Sequence, residues 1–273
     1  MRKFMAVSLA AMTAFSLAGC SGSTGAADTS AADTKTEAAD TAADTDDAGS
    51  DKVYVIDTDT TFAPFEFEND NGELVGIDMD ILKAIAEDQG FQYEINSVGF
   101  SAATTALETG ECDAVIAGMS ITDERMAKYD FSDPYYDSGV GMAVLADSDI
   151  DSYEDLSGQT VAAKIGTEGC SFAESIADQY GFEITQYEDS SSMYQSVLTG
   201  ETAACFEDYP VIGFEISRGL GLKLPTEMEA GASYGFAVMK GENGELIEMF
   251  NKGLENIKAD GTYQEILDTY ISK

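Results

Sequence analysis

The side chains that could do chemistry in this sequence are carboxylates, one well-placed arginine and a few cysteines. Arg125 is one of three arginines, and its planar guanidinium could bind a carboxylate through two parallel hydrogen bonds. The Thr-Asp-Glu sequence before it is equally typical of the start of a surface helix. Asp208 follows a predicted strand, where open α/β sheets place ligands, but it could also cap the helix after Pro210. The residue types alone leave both alternatives open.

Several catalytic and metal-binding chemistries are excluded by composition. The sequence contains no histidine, which excludes Ser-His-Asp and Cys-His catalysis as well as histidine-containing zinc sites. Beyond Cys20 the cysteines are Cys112, Cys170 and Cys205, an odd number without a CxxC pair, so no zinc or redox motif is predicted. Cys170 and Cys205 could pair, although we favour buried free thiols. No Walker or dinucleotide-binding motif is present, and we expect neither a metal nor a cofactor.

The first residues have the pattern of an export signal. Arg2 and Lys3 precede an apolar run over residues 4–17, which is too short to span a bilayer but suits a secretory signal. The run ends in Leu-Ala-Gly-Cys, which resembles the bacterial lipobox. This resemblance implies a lipoprotein signal peptide over residues 1–19 and a lipid on Cys20. We therefore expect an exported protein, lipid-anchored at the extracytoplasmic face of the cell membrane; the alternative is a plain apolar segment that happens to contain a cysteine.

Residues 20–52 differ sharply in composition from the rest of the chain. Up to Asp51 they consist mainly of Ser, Gly, Thr, Ala and Asp, without one large apolar side chain. Such a segment buries too little surface to offset the entropy of ordering, which predicts a disordered acidic tether. The formal net charge of the whole chain is −37. Nucleic acid and anionic lipid surfaces would be repelled, and we expect no nucleic-acid partner.

The sequence after Val53 predicts an α/β fold. Short β-branched runs alternate with amphipathic helical stretches, which is typical of mainly parallel sheets flanked by helices. The alternation runs through residues 53–118 and restarts at Thr160, which predicts two lobes. Two apolar helical stripes that begin at Leu246 predict that the end of the chain returns to the first lobe.

Two glycine-containing extended segments lie between these units, over residues 135–145 and 234–239. We interpret them as two hinge strands that join the lobes, since small changes in backbone dihedral angles there would swing a whole lobe. The alternative is that they are ordinary strands of one large sheet.

Five stretches after the tether match the pattern of a known family: residues 59–67 (DTTFAPFEF), 76–80 (GIDMD), 117–125 (AGMSITDER), 164–167 (KIGT) and 260–263 (DGTY). Together they resemble the polar-amino-acid periplasmic binding proteins, solute-binding family 3, and most closely its glutamine-binding members. The resemblance covers nearly all of residues 53–273. It implies the two-lobed type II periplasmic-binding-protein fold, with residues 53–137 and 233–273 in the first lobe and 138–232 in the second.

The resemblance also implies a ligand site between the lobes. Arg125 would bind the α-carboxylate of a free amino acid, because a guanidinium matches the geometry of that group and stays charged. Asp208 would accept the α-ammonium. The backbone of Gly118 and the hydroxyl of Ser120 would complete these polar contacts.

The ligand side chain would lie between apolar walls. Phe62 and Phe100 match positions where aromatic rings contact it on two sides in the family. Ala117 and Thr167 lie in the same matched stretches, and we expect them to line the site. Apolar walls provide contact area and leave the polar tip of the ligand to be recognised by other residues.

Asp59 and Lys164 would contact that polar tip. A carboxylate offers acceptors and an ammonium offers donors, which suits a side-chain amide and favours glutamine. Two positions depart from the glutamine-binding pattern, since Glu168 stands where glycine is usual and Glu207 stands where those proteins have histidine. The extra carboxylates could favour a cationic ligand such as arginine or lysine, and cystine is a further alternative.

These expectations together predict the amino-acid-binding component of an ABC importer. It would be a monomer that passes its ligand to permease transmembrane subunits, which work with a separate ATPase, and it would not be an enzyme. A few relatives of this architecture dehydrate cyclic acids, so a cyclohexadienyl-dehydratase-like enzyme is the alternative. Asp59, Glu168 or Glu207 would then act as general acid or base. A sensory or adhesive surface module is a third alternative.

Overall fold

The computed structural model describes residues 52–271. The predicted signal peptide at 1–19, the predicted lipidation site Cys20 and all but the last residue of the predicted tether lie outside the described residues. Between residues 52 and 271, no helix combines the length and the apolar character needed to cross a membrane.

The strands form where the sequence has short β-branched and aromatic runs. In chain order they are β1 (Val53–Thr58), β2 (Thr61–Phe62), β3 (Glu66–Glu68), β4 (Leu74–Val75), β5 (Gln92–Ser97), β6 (Ala114–Val115), β7 (Tyr129–Phe131), β8 (Gly139–Leu145), β9 (Thr160–Lys164), β10 (Glu183–Tyr187), β11 (Ala204–Asp208), β12 (Leu222–Lys223), β13 (Glu229–Ala230) and β14 (Ala237–Met239). The predicted alternation of strands and helices is confirmed in both halves of the chain.

The first N–H groups of a helix have no partner inside it, and side chains cap three of the helices described below. The helices are α1 (Ile77–Gln89), α2 (Phe100–Thr109), α3 (Asp123–Met126), α4 (Glu168–Tyr180), α5 (Ser190–Leu198), α6 (Tyr209–Ser217), α7 (Gly244–Asp260) and α8 (Thr262–Tyr270), with a 3₁₀ turn at Tyr153–Leu156. The side chains of Thr122, Thr167 and Asp189 cap α3, α4 and α5. The two apolar stripes predicted after Leu246 form the buried faces of α7 and α8.

Two separate sheets make up the frame of the fold. The first has the strand order β5-β1-β6-β14-β7, and the second has the order β10-β9-β11-β8-β12, with β13 also paired to β8. In the first sheet β1 is parallel to β5 and β6, and in the second β9 is parallel to β10 and β11. β14 and β8 run antiparallel to their neighbours. Each of these two sheets is therefore mixed, and the alternative of one large sheet is wrong. A third, small sheet of β2, β3 and β4 is antiparallel.

Helices cover both faces of each sheet, because successive side chains of a strand point to opposite faces. In β1, Tyr54 packs with α1, α7 and α8, whereas Val55 packs on the side of α2. In β9, Val161 shares a core with α4, and Ala162 shares one with α5 and α6. We call the first sheet with α1, α2, α3, α7 and α8 the first lobe, and the second sheet with α4, α5 and α6 the second lobe.

The chain passes between the lobes twice. It crosses from β7 to β8 over residues 132–138 and returns from β13 to β14 over residues 231–236; we call these segments the first and the second crossover. Tyr234 of the second crossover forms β-bridges with Ser120 and with Tyr136 of the first. The rings of Tyr136 and Tyr234 are stacked, with centroids 5.9 Å apart. The two crossovers therefore contact each other directly.

The predicted hinge segments, residues 135–145 and 234–239, each start in a crossover and continue into a sheet strand. The connecting parts are shorter than predicted, because β8 and β14 belong to the sheets of the two lobes. The sequence does not separate crossover from strand, since β-branched and apolar residues continue through both. The predicted lobe boundaries after residues 137 and 232 fall inside the crossovers and remain predictions.

Gly76 fixes the start of α1. Its φ is 140°, and a β-carbon at this position would lie 2.0 Å from the backbone oxygen of Phe65. Only glycine fits such a close approach of two backbone segments. Gly72, in the turn between β3 and β4, also has a positive φ of 75°, but nothing lies within 4 Å of the position of its β-carbon.

We expect Gly76→Ala to lower the free energy of unfolding by about 3 kcal/mol or more, because the methyl group collides with backbone that no rotamer change can move. Gly72→Ala is the matched control and should cost about 1 kcal/mol, since only the backbone conformation is affected. Urea unfolding of both variants and the wild type measures the difference. Equal losses in the two variants would contradict the importance of the Phe65 contact.

Candidate functional site

Strands from both lobes end at one cavity. β1 and β6 of the first lobe and β9 and β11 of the second have their carboxyl ends there, which is the edge at which open α/β sheets bind ligands. The cavity is small and is lined by Asp59, Phe62, Phe100, Ala117, Gly118, Ser120, Arg125, Lys164, Thr167, Glu168 and Asp208. The structure thus brings the predicted site residues together, with the exception of Glu207.

Arg125 reaches the cavity from the short helix α3. Thr122 caps this helix, and the guanidinium lies 5.3 Å from the centre of the Phe100 ring. The guanidinium donates to the carbonyl oxygen of Ser120 (2.9 Å) and to that of Gly166 in the second lobe (3.0 Å). Burial lowers the pKa of Arg125, but a guanidinium still stays charged near neutral pH. Because it has five N–H donors, these two contacts leave donors for a carboxylate in the cavity.

Asp208 ends β11 in the second lobe and is only 3% exposed. It stands at the N-cap position of α6, yet its side chain makes no capping hydrogen bond. Its Oδ2 instead accepts a hydrogen bond of 2.6 Å from the Tyr234 hydroxyl, so the capping alternative is wrong for this side chain. Burial and the neighbouring Glu207 raise the pKa of Asp208 to about 7, whereas the Tyr234 hydrogen bond and Arg125 lower it.

Lys164 and Asp59 form a buried ion pair between the lobes. Their side chains are 1% and 2% exposed, and Lys164 Nζ donates to Asp59 Oδ2. Nζ also lies 5.2 Å from the centre of the Phe62 ring and 3.5 Å from Ser190 Oγ. Removing two charges from water is costly, and their pairing offsets much of that cost. The end of the cavity therefore presents a cation and an anion that neutralise each other.

Glu207 lies behind this ion pair and not on the cavity wall. Its carboxylate accepts hydrogen bonds from Ser190 Oγ (2.8 Å), Tyr194 Oη (3.1 Å) and the Asp208 N–H (3.1 Å). Burial raises the pKa of Glu207, and Lys164 opposes this effect. The prediction of Glu207 as a ligand contact therefore finds no support in its position. It acts on the cavity through Ser190, through the charge of Lys164 and through its effect on Asp208.

The first turn of α4 forms another part of the wall. The Thr167 hydroxyl donates to the carbonyl oxygen of Lys164 (2.7 Å) and accepts from the Cys170 N–H (3.3 Å), which caps the helix. Glu168 is the first residue of α4 and is half-buried at the cavity. The N-terminal end of a helix carries a partial positive charge and free N–H groups, which favour an anion nearby. The wall at α4 thus combines a helix end with a carboxylate.

Gly118 and two phenylalanines shape the apolar part of the cavity. Phe62 and Phe100 are 4% and 5% exposed. Gly118 has a φ of 52°, and a β-carbon there would lie 2.4 Å from an edge atom of the Phe62 ring. The ring can pack against the loop only because this residue is glycine.

Asp78 binds the backbone of Gly118 but does not itself line the cavity. It is fully buried in the first turn of α1, and its Oδ2 accepts hydrogen bonds from the Gly118 N–H (2.8 Å) and from the Tyr135 hydroxyl (2.7 Å). Asp78 lies within the matched stretch 76–80 but is not among the predicted site residues. The sequence does contain a signal for this role. Asp78 lies directly before a run of buried helix positions, where a carboxylate without a hydrogen-bond partner is costly.

Glu66 forms a buried carboxyl pair with Asp78. Both residues are fully buried, and among residues 52–271 no donor group reaches either oxygen of Glu66 or Oδ1 of Asp78. A proton on Glu66 would supply the missing hydrogen bond between the two carboxyl groups. Burial and the charge of Asp78 raise the pKa of Glu66 well above its usual range, and burial raises the pKa of Asp78 to about 6.

The three cysteines of the described region are buried free thiols. This confirms the preference for free thiols over a disulfide between Cys170 and Cys205. Burial raises the pKa of Cys112 to about 12 and that of Cys170 to about 11, so neither forms a reactive thiolate near neutral pH. Within the part of the chain that the structure describes, no three cysteine or acidic side chains converge as metal ligands.

Comparison with known proteins identifies related chains. The model of the bacterial extracellular solute-binding proteins, family 3, matches residues 54–273. The arginine-binding extracellular protein ArtP of Bacillus subtilis is 30% identical over 221 residues, which are 79% of this chain and 84% of ArtP. Substrate-binding domain 2 of Lactococcus lactis GlnP, in its open conformation, is 42% identical, with 81% and 96% of the chains covered and a TM-score of 0.58. An ancestral arginine-binding protein bound to glutamine is 36% identical, with 81% and 98% covered and a TM-score of 0.74.

The two lobes contact each other directly at the cavity. The Arg125 guanidinium of the first lobe donates to the carbonyl oxygen of Gly166 in the second, and Lys164 of the second lobe pairs with Asp59 of the first.

Replacing Glu66 with glutamine should stabilise the protein increasingly as the pH rises. A glutamate in the unfolded chain releases its proton near pH 4.3, whereas the folded protein holds the Glu66 proton to a higher pH. The stabilisation from this proton is complete below about pH 4 and is lost as the pH rises towards the raised pKa. Glutamine offers Asp78 an uncharged donor at every pH. We expect a gain of about 1–3 kcal/mol at pH 8 and little gain at pH 4.5.

Urea unfolding of the Glu66→Gln variant and the wild type at both pH values measures this gain. Glu68→Gln is the matched control, because Glu68 lies on the same strand but is exposed. It should show no pH-dependent gain. A gain for Glu66→Gln that is the same at both pH values would contradict a proton shared with Asp78.

Proposed function

We propose, because the chain belongs to the bacterial extracellular solute-binding proteins, family 3, that it is the exported receptor of an ABC importer and captures a free polar amino acid between its two lobes. One observation carries this proposal: Arg125 of the first lobe and Asp208 of the second line the same cavity. A free amino acid is a zwitterion, and one guanidinium and one carboxylate match its two charged ends.

In the proposed complex the two lobes bind opposite ends of the ligand backbone. Arg125 binds the α-carboxylate with the N–H groups that its contacts to backbone carbonyls leave free, and the N-terminal end of α4 at Glu168 adds a favourable field. Asp208 accepts a hydrogen bond from the α-ammonium. The hydroxyl of Ser120 and the carbonyl of Gly118 provide further acceptors for it. Each end of the ligand thus meets a charge of opposite sign in a cavity with little water.

Capture by closure is a consequence of this division of contacts. A ligand that contacts both lobes binds the closed arrangement more tightly than an open one, in which Arg125 and Asp208 would be apart. The ligand therefore shifts the population towards the closed form. We propose that this form delivers the amino acid to permease transmembrane subunits, which use a separate ATPase.

Glutamine is the ligand that we favour. Its side-chain amide has both a donor and an acceptor group, and the buried pair of Lys164 and Asp59 offers a donor and an acceptor at one end of the cavity. Because these two charges neutralise each other, a neutral polar side chain can approach them without adding an unpaired charge. The similarity to an ancestral protein with glutamine bound supports this choice.

Arginine is the second candidate, and the half-buried Glu168 favours it. Its carboxylate lies at the cavity and is not needed for the two backbone groups of the ligand. The similarity to the arginine-binding protein ArtP supports this alternative as well. The ion pair argues against it, because Asp59 is already paired with Lys164 and is not free to bind the cationic tip of an arginine side chain.

We also propose that the protein acts as a lipid-anchored monomer at the extracytoplasmic face of the membrane. The lipobox pattern that ends at Cys20 and the acidic composition of residues 20–52 support an anchor followed by a tether. The named relatives are amino-acid-binding proteins. We therefore propose that Asp59 and Glu168 recognise the ligand and do not act as acid or base catalysts.

Calorimetric titration of the purified protein with each of the twenty amino acids tests the proposed function. We expect glutamine to bind with a dissociation constant below about 1 mM, which corresponds to roughly −4 kcal/mol, and to bind more tightly than arginine. Tighter binding of arginine would support the proposed function as an amino-acid receptor but would overturn glutamine as the preferred ligand. No binding of any amino acid would overturn the receptor itself.

Arg125→Ala should abolish binding of the amino acid that the wild type prefers. Removing one partner of a desolvated charge pair costs about 2–5 kcal/mol, which weakens binding by a factor of about thirty or more. Arg218→Ala is the matched control, because Arg218 is exposed after α6 and lies against Phe214, outside the residues that line the cavity. The same titration measures both variants. Wild-type affinity in Arg125→Ala would show that the carboxylate binds elsewhere.

A further inference from the structure

Two tyrosines of the crossovers donate hydrogen bonds to buried carboxylates, one in each lobe. Tyr135 of the first crossover donates to Asp78 of the first lobe (2.7 Å), and Tyr234 of the second crossover donates to Asp208 of the second lobe (2.6 Å). Asp208 is the residue to which the proposed function assigns the α-ammonium of the ligand. The Tyr234 hydroxyl therefore contacts the acceptor of the ligand from the segment that joins the lobes.

The two crossovers fix the position of Tyr234. Its N–H donates to the carbonyl oxygen of Tyr136 (2.7 Å), and its own carbonyl oxygen accepts from the Tyr135 N–H (2.9 Å). Its hydroxyl accepts a hydrogen bond of 2.9 Å from Ser138 Oγ, and the side chain is fully buried. A change in the angle between the crossovers therefore moves this hydroxyl relative to Asp208.

Because carboxylates near Asp208 disfavour its ionised form, a hydrogen-bond donor to the Asp208 carboxylate is important. Glu207 on the same strand and Glu168 at the start of α4 both raise its pKa, and Arg125 on α3 and the Tyr234 hydroxyl lower it. The hydrogen bond from Tyr234 reaches Oδ2. No hydrogen bond to Oδ1 is formed between residues 52 and 271, so this second oxygen can accept from a ligand.

We propose that Tyr234 is a positioning residue for ligand binding, whose hydroxyl holds Asp208 in the orientation and the ionised form that accept the α-ammonium. This inference rests on the proposed function. Tyr234 acts through Asp208 and does not contact the ligand itself. Because the hydroxyl is placed by both crossovers, it makes the strength of the ammonium site depend on the angle between the lobes.

The proposed role has a consequence for the pH dependence of binding. Only the ionised form of Asp208 attracts an ammonium, and a hydrogen bond donated to a carboxylate favours that form. Removing the hydroxyl raises the pKa of Asp208 further above about 7, so that more of the carboxyl group is protonated at pH 6. At pH 8.5 the difference in ionisation is smaller. A purely structural defect would weaken binding equally at both pH values.

Tyr234→Phe removes the hydroxyl and keeps the ring. With L-glutamine as the probe, titration of the full chain should show affinity reduced about tenfold or more at pH 6 and less than about threefold at pH 8.5. Tyr136→Phe is the matched control, because it removes a hydroxyl from the stacked neighbouring ring, which makes no hydrogen bond with Asp208. It should change the affinity by less than about twofold at either pH. Unchanged affinity of Tyr234→Phe, or equal losses at both pH values, would overturn the proposal.

Carboxyl ¹³C NMR provides a measurement that does not depend on the ligand. The pKa of Asp208 should be higher in Tyr234→Phe than in the wild type by about 1. If the wild type binds no glutamine, the proposed ligand fails, but a raised pKa still supports the action of Tyr234 on Asp208, and an unchanged pKa overturns it. If Tyr234→Phe does not fold, Ser138→Ala is the second variant, because it removes the group that donates to the Tyr234 hydroxyl. It should weaken glutamine binding about twofold to threefold at pH 6 and less at pH 8.5. Unchanged affinity of Ser138→Ala would overturn the proposal.

Discussion

The arrangement of the lobes depends on charged groups that share one cavity, most of them buried. Lys164 and Asp59 come from opposite lobes and pair with each other, whereas Asp208 and Arg125 meet no ion-pair partner within residues 52–271. A buried charge without a partner is costly, and in practice it acquires hydrogen bonds or changes its protonation. Both happen here: Arg125 donates to two backbone carbonyls, and Asp208 has a raised pKa and one phenolic donor. Closure of the lobes therefore leaves a site that a zwitterion would complete.

Much of the fold could be predicted from the sequence because local patterns determine it. The side chains of β1 and β9 alternate between two cores, and the stripes of α7 and α8 repeat at helical spacing, so the sequence of each element indicates which of its faces is buried. The crossovers have no such pattern. Residues 135–145 form one extended apolar segment in the sequence, although only the part from Gly139 onwards is a sheet strand. Which residues connect the lobes is decided by pairing with distant strands, and local propensity does not specify such pairing.

In the candidate site, too, local sequence patterns predict some features and not others. Eleven of the twelve predicted ligand residues line one cavity, because most of them lie at strand ends that the fold places at a common edge. Glu207 is the exception: adjacent residues of a strand point to opposite sides, and the sequence around Asp208 does not say which of the two faces the cavity. Tyr234 and Asp78 were missed because their function lies in contacts over long sequence separations, with Asp208 and Gly118.

The two crossover tyrosines, Tyr135 and Tyr234, make such distant contacts with different lobes. Tyr135 and Tyr234 are neighbours in space, yet each donates its hydroxyl to a carboxylate of a different lobe, Asp78 or Asp208. Asp78 lies beside Glu66, whose raised pKa favours its protonated form, and it accepts a hydrogen bond from the Gly118 backbone in the same lobe. Asp208 lacks such a neighbour, and the other carboxylates around it raise its pKa. A cation entering the cavity would relieve this unbalanced charge. In the proposed complex the ammonium of an amino acid supplies that cation, and the Tyr234 hydroxyl that the second crossover places on Asp208 favours the ionised carboxylate that receives it.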